Sequence, residues 1–60
     1  MKHLDVMMDK AKLLAEVMLV VISRLDIQYN FHRGEYEAVV WYTNGEQYRI
    51  DENGEAEKIA

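Results

Sequence analysis

Residues 36–51 read YEAVVWYTNGEQYRID. Two runs rich in β-branched and aromatic residues, 36–43 and 46–51, flank the pair Asn44-Gly45. Such residues fit a pleated, half-buried surface. Asn-Gly suits a two-residue type I′ turn, because both central positions of that turn need positive φ. The stretch predicts an antiparallel hairpin. With a two-residue loop, Thr43 faces Glu46, Trp41 faces Tyr48 and Val39 faces Ile50. Val39, Trp41, Tyr48 and Ile50 then share one face.

Working upstream, Ile27, Tyr29 and Phe31 alternate with Gln28, Asn30 and His32, the period of a half-buried strand over about 26–32. A three-residue loop, His32-Arg33-Gly34, with Gly34 in the left-handed region, puts these three side chains on the same face as Trp41. A two-residue loop would turn every side chain of that strand over. The expected core face is Ile27, Tyr29, Phe31, Val39, Trp41, Tyr48 and Ile50. Downstream, Asn53-Gly54 repeats the turn signal, and 56–59 adds a short fourth strand unless the chain end frays.

The first part of the chain changes period. Leu4, Met7, Ala11, Leu14, Met18, Val21, Ile22 and Leu25 form one apolar stripe, opposite Asp5, Asp9, Lys12, Glu16 and Ser23. This predicts a helix over about 4–25, with Asp5 and Asp9 at the positive end of its dipole and Arg24 at the negative end. Val20, Val21 and Ile22 are weak helix formers, so packing must hold that last turn. The expected architecture is a single α+β domain over 1–60: one N-terminal helix packed on an antiparallel three- or four-stranded β-meander.

Sixty residues without cysteine or proline, half of them hydrophobic and 30% charged, are composed like a folded domain. A chain this short buries only about 60% of its unfolded surface, and it has no disulfide to help. It needs a tight core or a second copy. No uninterrupted apolar segment with a cleavage site follows the N-terminus, and the run 17–22 is too short to cross a bilayer. A chain opening at Met1 without cysteine is expected to be a complete small cytoplasmic protein.

Two features exceed the needs of such a fold. Val6, Leu13, Val17 and Val20 make a second helix stripe, read as a homodimer seam. On the expected sheet face away from the helix lie Tyr36, Ala38, Val40 and Tyr42, of which Tyr36, Val40 and Tyr42 are candidate anchors for a partner. Charge is also uneven. Residues 1–33 hold five Lys or Arg and four Asp or Glu, a net of +1, whereas 34–60 hold two bases and seven acids, a net of −5. These two halves recover the total of −4, and the acids cluster on the hairpins. Glu35, Glu37, Glu46, Asp51, Glu52 and Glu55 would steer the chain toward a basic cleft and imitate backbone phosphates. The plainer reading is that these acids keep sheet edges soluble. Net negative charge argues against direct nucleic-acid or anionic-membrane binding.

Nothing in the sequence assembles a catalytic centre. His3 and His32 stand alone, without converging metal ligands. DENGEAE at 51–57 lacks the alternating ligands of a calcium loop. Ser23 has no histidine at a readable spacing, and Glu35 and Glu37 lack an apolar pocket. All three glycines are turn glycines, so no phosphate loop exists. No enzyme activity and no cofactor is expected. The expected function is a small acidic protein-binding module with a protein partner, such as an inhibitor from a phage or mobile element that blocks a basic nucleic-acid-binding surface of a host protein. Anti-CRISPR proteins are inhibitors of that sort, by analogy alone. The alternatives are a homodimeric assembly protein with no inhibitory role and an engineered scaffold.

Overall fold

In the computed structural model, which describes residues 2–60, helix α1 spans Lys2–Met18. Four strands follow: β1 Ile22–Asn30, β2 Glu35–Tyr42, β3 Gln47–Asp51 and β4 Ala56–Lys58. They form one antiparallel sheet in the order β1-β2-β3-β4. The α+β meander expected from the periodicity is therefore present, with its fourth strand.

The helix stops seven residues before the expected Leu25. Leu19 takes φ 58°, and the amides of Leu19 and Val20 donate to the carbonyls of Glu16 (3.3 Å) and Ala15 (3.0 Å). This is a Schellman stop, built on leucine where glycine is usual. The β-branched residues that follow lose χ1 freedom in a helix but fit a strand. Ile22 and Leu25, assigned to the helix stripe, lie in β1, as does Arg24. The last helical turn holds no basic residue.

Both hairpin loops are one residue longer than expected. Asn30 pairs with Glu35, so the first loop is Phe31–Gly34. The Asn30 side-chain oxygen accepts from the amides of His32 (3.0 Å) and Arg33 (3.2 Å), and its carbonyl accepts from Gly34 (2.8 Å). Asparagine mimics a turn of backbone in this way, and it draws Phe31 out of the strand. In the second loop Tyr42 donates to the Glu46 carbonyl (2.9 Å) and Gly45 to the Tyr42 carbonyl (3.0 Å). Only Gly45 has positive φ there, not Asn44. The loop is Thr43-Asn44-Gly45, a turn closed by a left-handed glycine rather than a type I′ pair.

The two slips cancel for β1 and β3 and turn β2 over. Ile27, Tyr29, Tyr48 and Ile50 keep the helix-facing side, but they are joined by Ala38, Val40 and Tyr42 instead of Val39 and Trp41. Val40 and Tyr42 are thus buried under the helix and are not on the far face. Phe31 leaves the core for the turn and is 86% exposed. Met7 and Ala11 are the helix residues sunk deepest, with Leu14, Ala15 and Met18 packed around them. The buried Tyr42 hydroxyl donates to the Ala11 carbonyl at 2.9 Å and ties β2 to the helix. No helix is long and apolar enough to cross a membrane among the described residues.

Candidate functional site

Because Glu37 pairs with Asp51, the β1–β2 and β3–β4 turns lie at the same end of the sheet. The helix N-terminus comes to this end too. His3 Nδ1 stands 3.4 Å from the Glu52 carboxylate. Val6 packs over Gly54, where φ is 84° and an added Cβ would lie 3.0 Å from the valine side chain. A side chain at residue 54 would collide with the helix as well as strain the turn.

Six of the nine sequence-predicted contact residues converge here: Glu35, Tyr36, Glu37, Asp51, Glu52 and Glu55. They do not act alike. On the sheet face opposite the helix, Glu37 is only 3% exposed. Its carboxylate accepts from Gln28 Nε2 (2.6 Å) and Asn30 Nδ2 (3.0 Å). Burial pushes its pKa up, but these hydrogen bonds and the charges of Arg49 and Arg33 outweigh it and hold the group below its ordinary value. Asp51, also buried, accepts from the amides of Asn53 (2.9 Å) and Glu55 (3.0 Å), shaping the turn. Arg33 Nη2 lies 3.6 Å from Asp51 and 3.8 Å from Glu35. Arg49 pairs with Glu57. Arg33, Arg49, Asp51, Glu55, Ala56 and Glu57 border a shallow polar cleft of about 190 Å³. Glu37 and Asp51 are consumed by the fold. Glu52 accepts from the Tyr36 amide at 2.6 Å, and Glu55 is open to solvent.

The helix side of the same end is apolar. Leu4, Met7, Ile27, Tyr36 and His3 line a groove of about 250 Å³. Along its rim, the Tyr29 ring meets Phe31 (centroids 5.0 Å) and Tyr36 (4.9 Å) edge to face. Phe31, Tyr29 and Ile27 were expected inside the core, and Leu4 on the buried stripe. All four reach solvent. The signal that would have found Phe31 is Asn30, a turn former placed just before it.

The other predicted contact residues lie elsewhere. Glu46 is at the opposite end, where it accepts from Tyr48 Oη (2.9 Å) and Asn44 Nδ2 (2.8 Å) beside Lys58 Nζ (3.4 Å). The Tyr48 hydrogen bond, aided by Lys58 and Asn44 against a smaller desolvation cost, holds the Glu46 pKa below its ordinary value. Val40 and Tyr42 are core. The proposed helix seam is divided: Val6 covers Gly54, Val20 is half-buried, and Leu13 and Val17 are exposed. Among the described residues, no three His, Asp or Glu side chains are placed to hold a metal ion. No protein-family model matches the chain, and no curated protein or solved structure is similar to it.

Proposed function

We propose that the chain is a non-enzymatic protein-binding module that docks its turn-bearing end on a basic surface of a larger protein, as an inhibitor of a nucleic-acid-handling enzyme would. The observation that carries this reading is the meeting at one end of the exposed rings of Phe31, Tyr29 and Tyr36 with the half-buried carboxylates of Glu35 and Glu52 and the exposed one of Glu55. Large rings with few rotatable bonds make good anchors, and surrounding carboxylates steer encounter with a cationic site. Arg33 offsets part of that charge and sits among the acids it pairs with.

The test compares the wild-type chain with Phe31→Ser/Glu55→Lys, two changes at exposed positions. Each is immobilised and exposed to a lysate of the native host, with duplex DNA as competitor. The proposal expects a basic nucleic-acid-handling protein to be retained by the wild type and displaced by duplex. The variant should lose it while its circular dichroism stays unchanged, and capture should weaken as salt rises. Equal capture by both chains, or capture indifferent to duplex and salt, overturns the proposal.

A further inference from the structure

Strand β1 forms one edge of the sheet. Along β2, Tyr42 bonds toward β3, donating to the Glu46 carbonyl. Backbone direction alternates along an antiparallel strand, so Tyr42, Val40 and Ala38 serve β3, while Trp41, Val39, Glu37 and Glu35 serve β1. Their β1 partners are Arg24, Asp26, Gln28 and Asn30. The amides and carbonyls of Leu25, Ile27 and Tyr29 are left pointing away from the sheet. Their side chains lie on the helix-facing side, and Ile27 and Tyr29 are each 42% exposed. The register shift between Ile22 and Arg24 kinks the start of β1, so the regular part of the edge runs from Leu25 to Asn30.

We propose that this edge pairs with its own counterpart in a second copy of the chain, antiparallel, about a two-fold axis at Ile27. An axis there places Ile27 opposite Ile27 and Leu25 opposite Tyr29 of the second copy, and the reverse. Every outward-facing backbone group from Leu25 to Tyr29 then meets another one. On the opposite face, Asp26 comes against Gln28 and Arg24 against Asn30, so no like charges oppose each other. Moving the axis to Asp26 would set two carboxylates face to face. Moving it to Gln28 would bring Leu25 against Phe31, which is in the turn and has left the strand.

Charge on the rest of the molecule selects the same edge. The chain carries a net −4, with seven acids after residue 33, while β1 holds one arginine and one aspartate, Arg24 and Asp26, which pair at 2.8 Å. A second copy approaching β1 meets a neutral edge. The other edge, β4, is three residues long, with Glu57 and Lys58 in the strand and Glu55 just before it. A short edge resists pairing, and β1 is nine residues long where β4 has three. A self-complementary strand is the surface a two-fold dimer requires.

Sedimentation of the full chain from micromolar to millimolar concentration, with Ile27→Lys and Ile27→Glu alongside, tests this. The wild type should pass from 7.1 kDa to twice that mass. Each variant alone should associate about tenfold or more weakly, because residue 27 meets its own copy. An equimolar mixture of the two should recover the double mass. In hydrogen exchange, the Leu25, Ile27 and Tyr29 amides should gain protection with concentration, while the Gln28 amide is protected throughout. A wild type that stays at 7.1 kDa, variants that associate unchanged, or a mixture no heavier than its parts overturns the proposal.

Discussion

The two faces of the sheet bury residues by different means. Under the helix, Met7, Ala11, Ala38, Val40, Tyr42 and Ile50 form an apolar core closed to water. On the bare face, Glu37 and Asp51 are just as inaccessible, yet no element covers them. Neighbouring Gln28, Asn30, Arg33 and Arg49 surround them and satisfy their charge. The first face is stable because it excludes polar groups, the second because its polar groups are saturated. Glu37-Ala38-Val39-Val40 is consequently buried at four successive positions, where a strand with one wet face would alternate.

The sharpest way to break this contrast is to substitute two adjacent β2 residues that face opposite sides of the sheet. Val40→Asp puts an unpaired carboxylate in the apolar core. A fold of this size holds only about 3–5 kcal/mol in total, so the variant is expected to be unfolded at room temperature. Trp41 lies on the bare face, half-buried, with the Arg24 guanidinium 4.9 Å above its ring. Trp41→Ala is expected to cost about 1–2 kcal/mol in urea denaturation and to leave the chain folded. The reverse order of effects would mean that β2 presents its other side to the helix.

Within the bare face, Glu37→Ala removes the shared acceptor and strands Gln28, Asn30 and the nearby guanidinium groups. The expected loss is about 2–3 kcal/mol. Since the Glu37 pKa is lowered in the fold, its contribution is fully present above the ordinary value of 4.5 and disappears as pH falls through the lower folded value. Glu37→Gln should flatten the stability profile across that acidic window and leave its neutral side sloped as before. An unchanged acid limb would show that the carboxylate is not held by its neighbours.

The burial of both faces also explains what could be read without the structure. The elements were legible because their periods differ: 3.6 for Leu4–Met18, two for Ile27–Phe31, and Asn-Gly at both later turns. The inward side of β2 was not. Val39 and Trp41 are as apolar as Val40 and Tyr42, so the pattern allowed either side, and only loop length could decide. Loop length depended on Asn30 capping its turn and on Asn44 keeping negative φ, neither of which hydrophobicity records. The helix end was hidden for a related reason, since a leucine in the left-handed region carries no glycine signal. At the candidate site, the clustering of acids was visible in composition. The role of Phe31 was not, because its placement followed from the same turn.

A smaller effect probes how the helix is held to its sheet. Tyr42→Phe keeps the ring in the core, against Tyr48, and deletes only the hydroxyl that reaches the Ala11 carbonyl. Burial raises the Tyr42 pKa, with the neighbouring Tyr48 adding to it, so the hydroxyl stays a donor across the neutral range. The expected cost is about 1 kcal/mol, seen as a lower urea midpoint with an unchanged slope. A cost near zero would mean that apolar contact alone seats the helix.

The smallest effect concerns the helix surface that neither face uses. Val17 is 72% exposed and Leu13 50%. In an isolated chain, Val17→Asp loses little burial, and its main penalty is a negative charge near the helix C-terminus, where the dipole disfavours it by less than about 1 kcal/mol. If association runs through β1, this variant should dimerise like the wild type, because residue 17 lies outside that edge. If the helix stripe is the seam, the same variant should sediment as single chains while Ile27→Lys still pairs. Measured on one pair of samples, the two substitutions assign the association to the helix or to the sheet edge. A result in which Val17→Asp alone abolishes it would return the dimer to the surface where the apolar stripe first placed it.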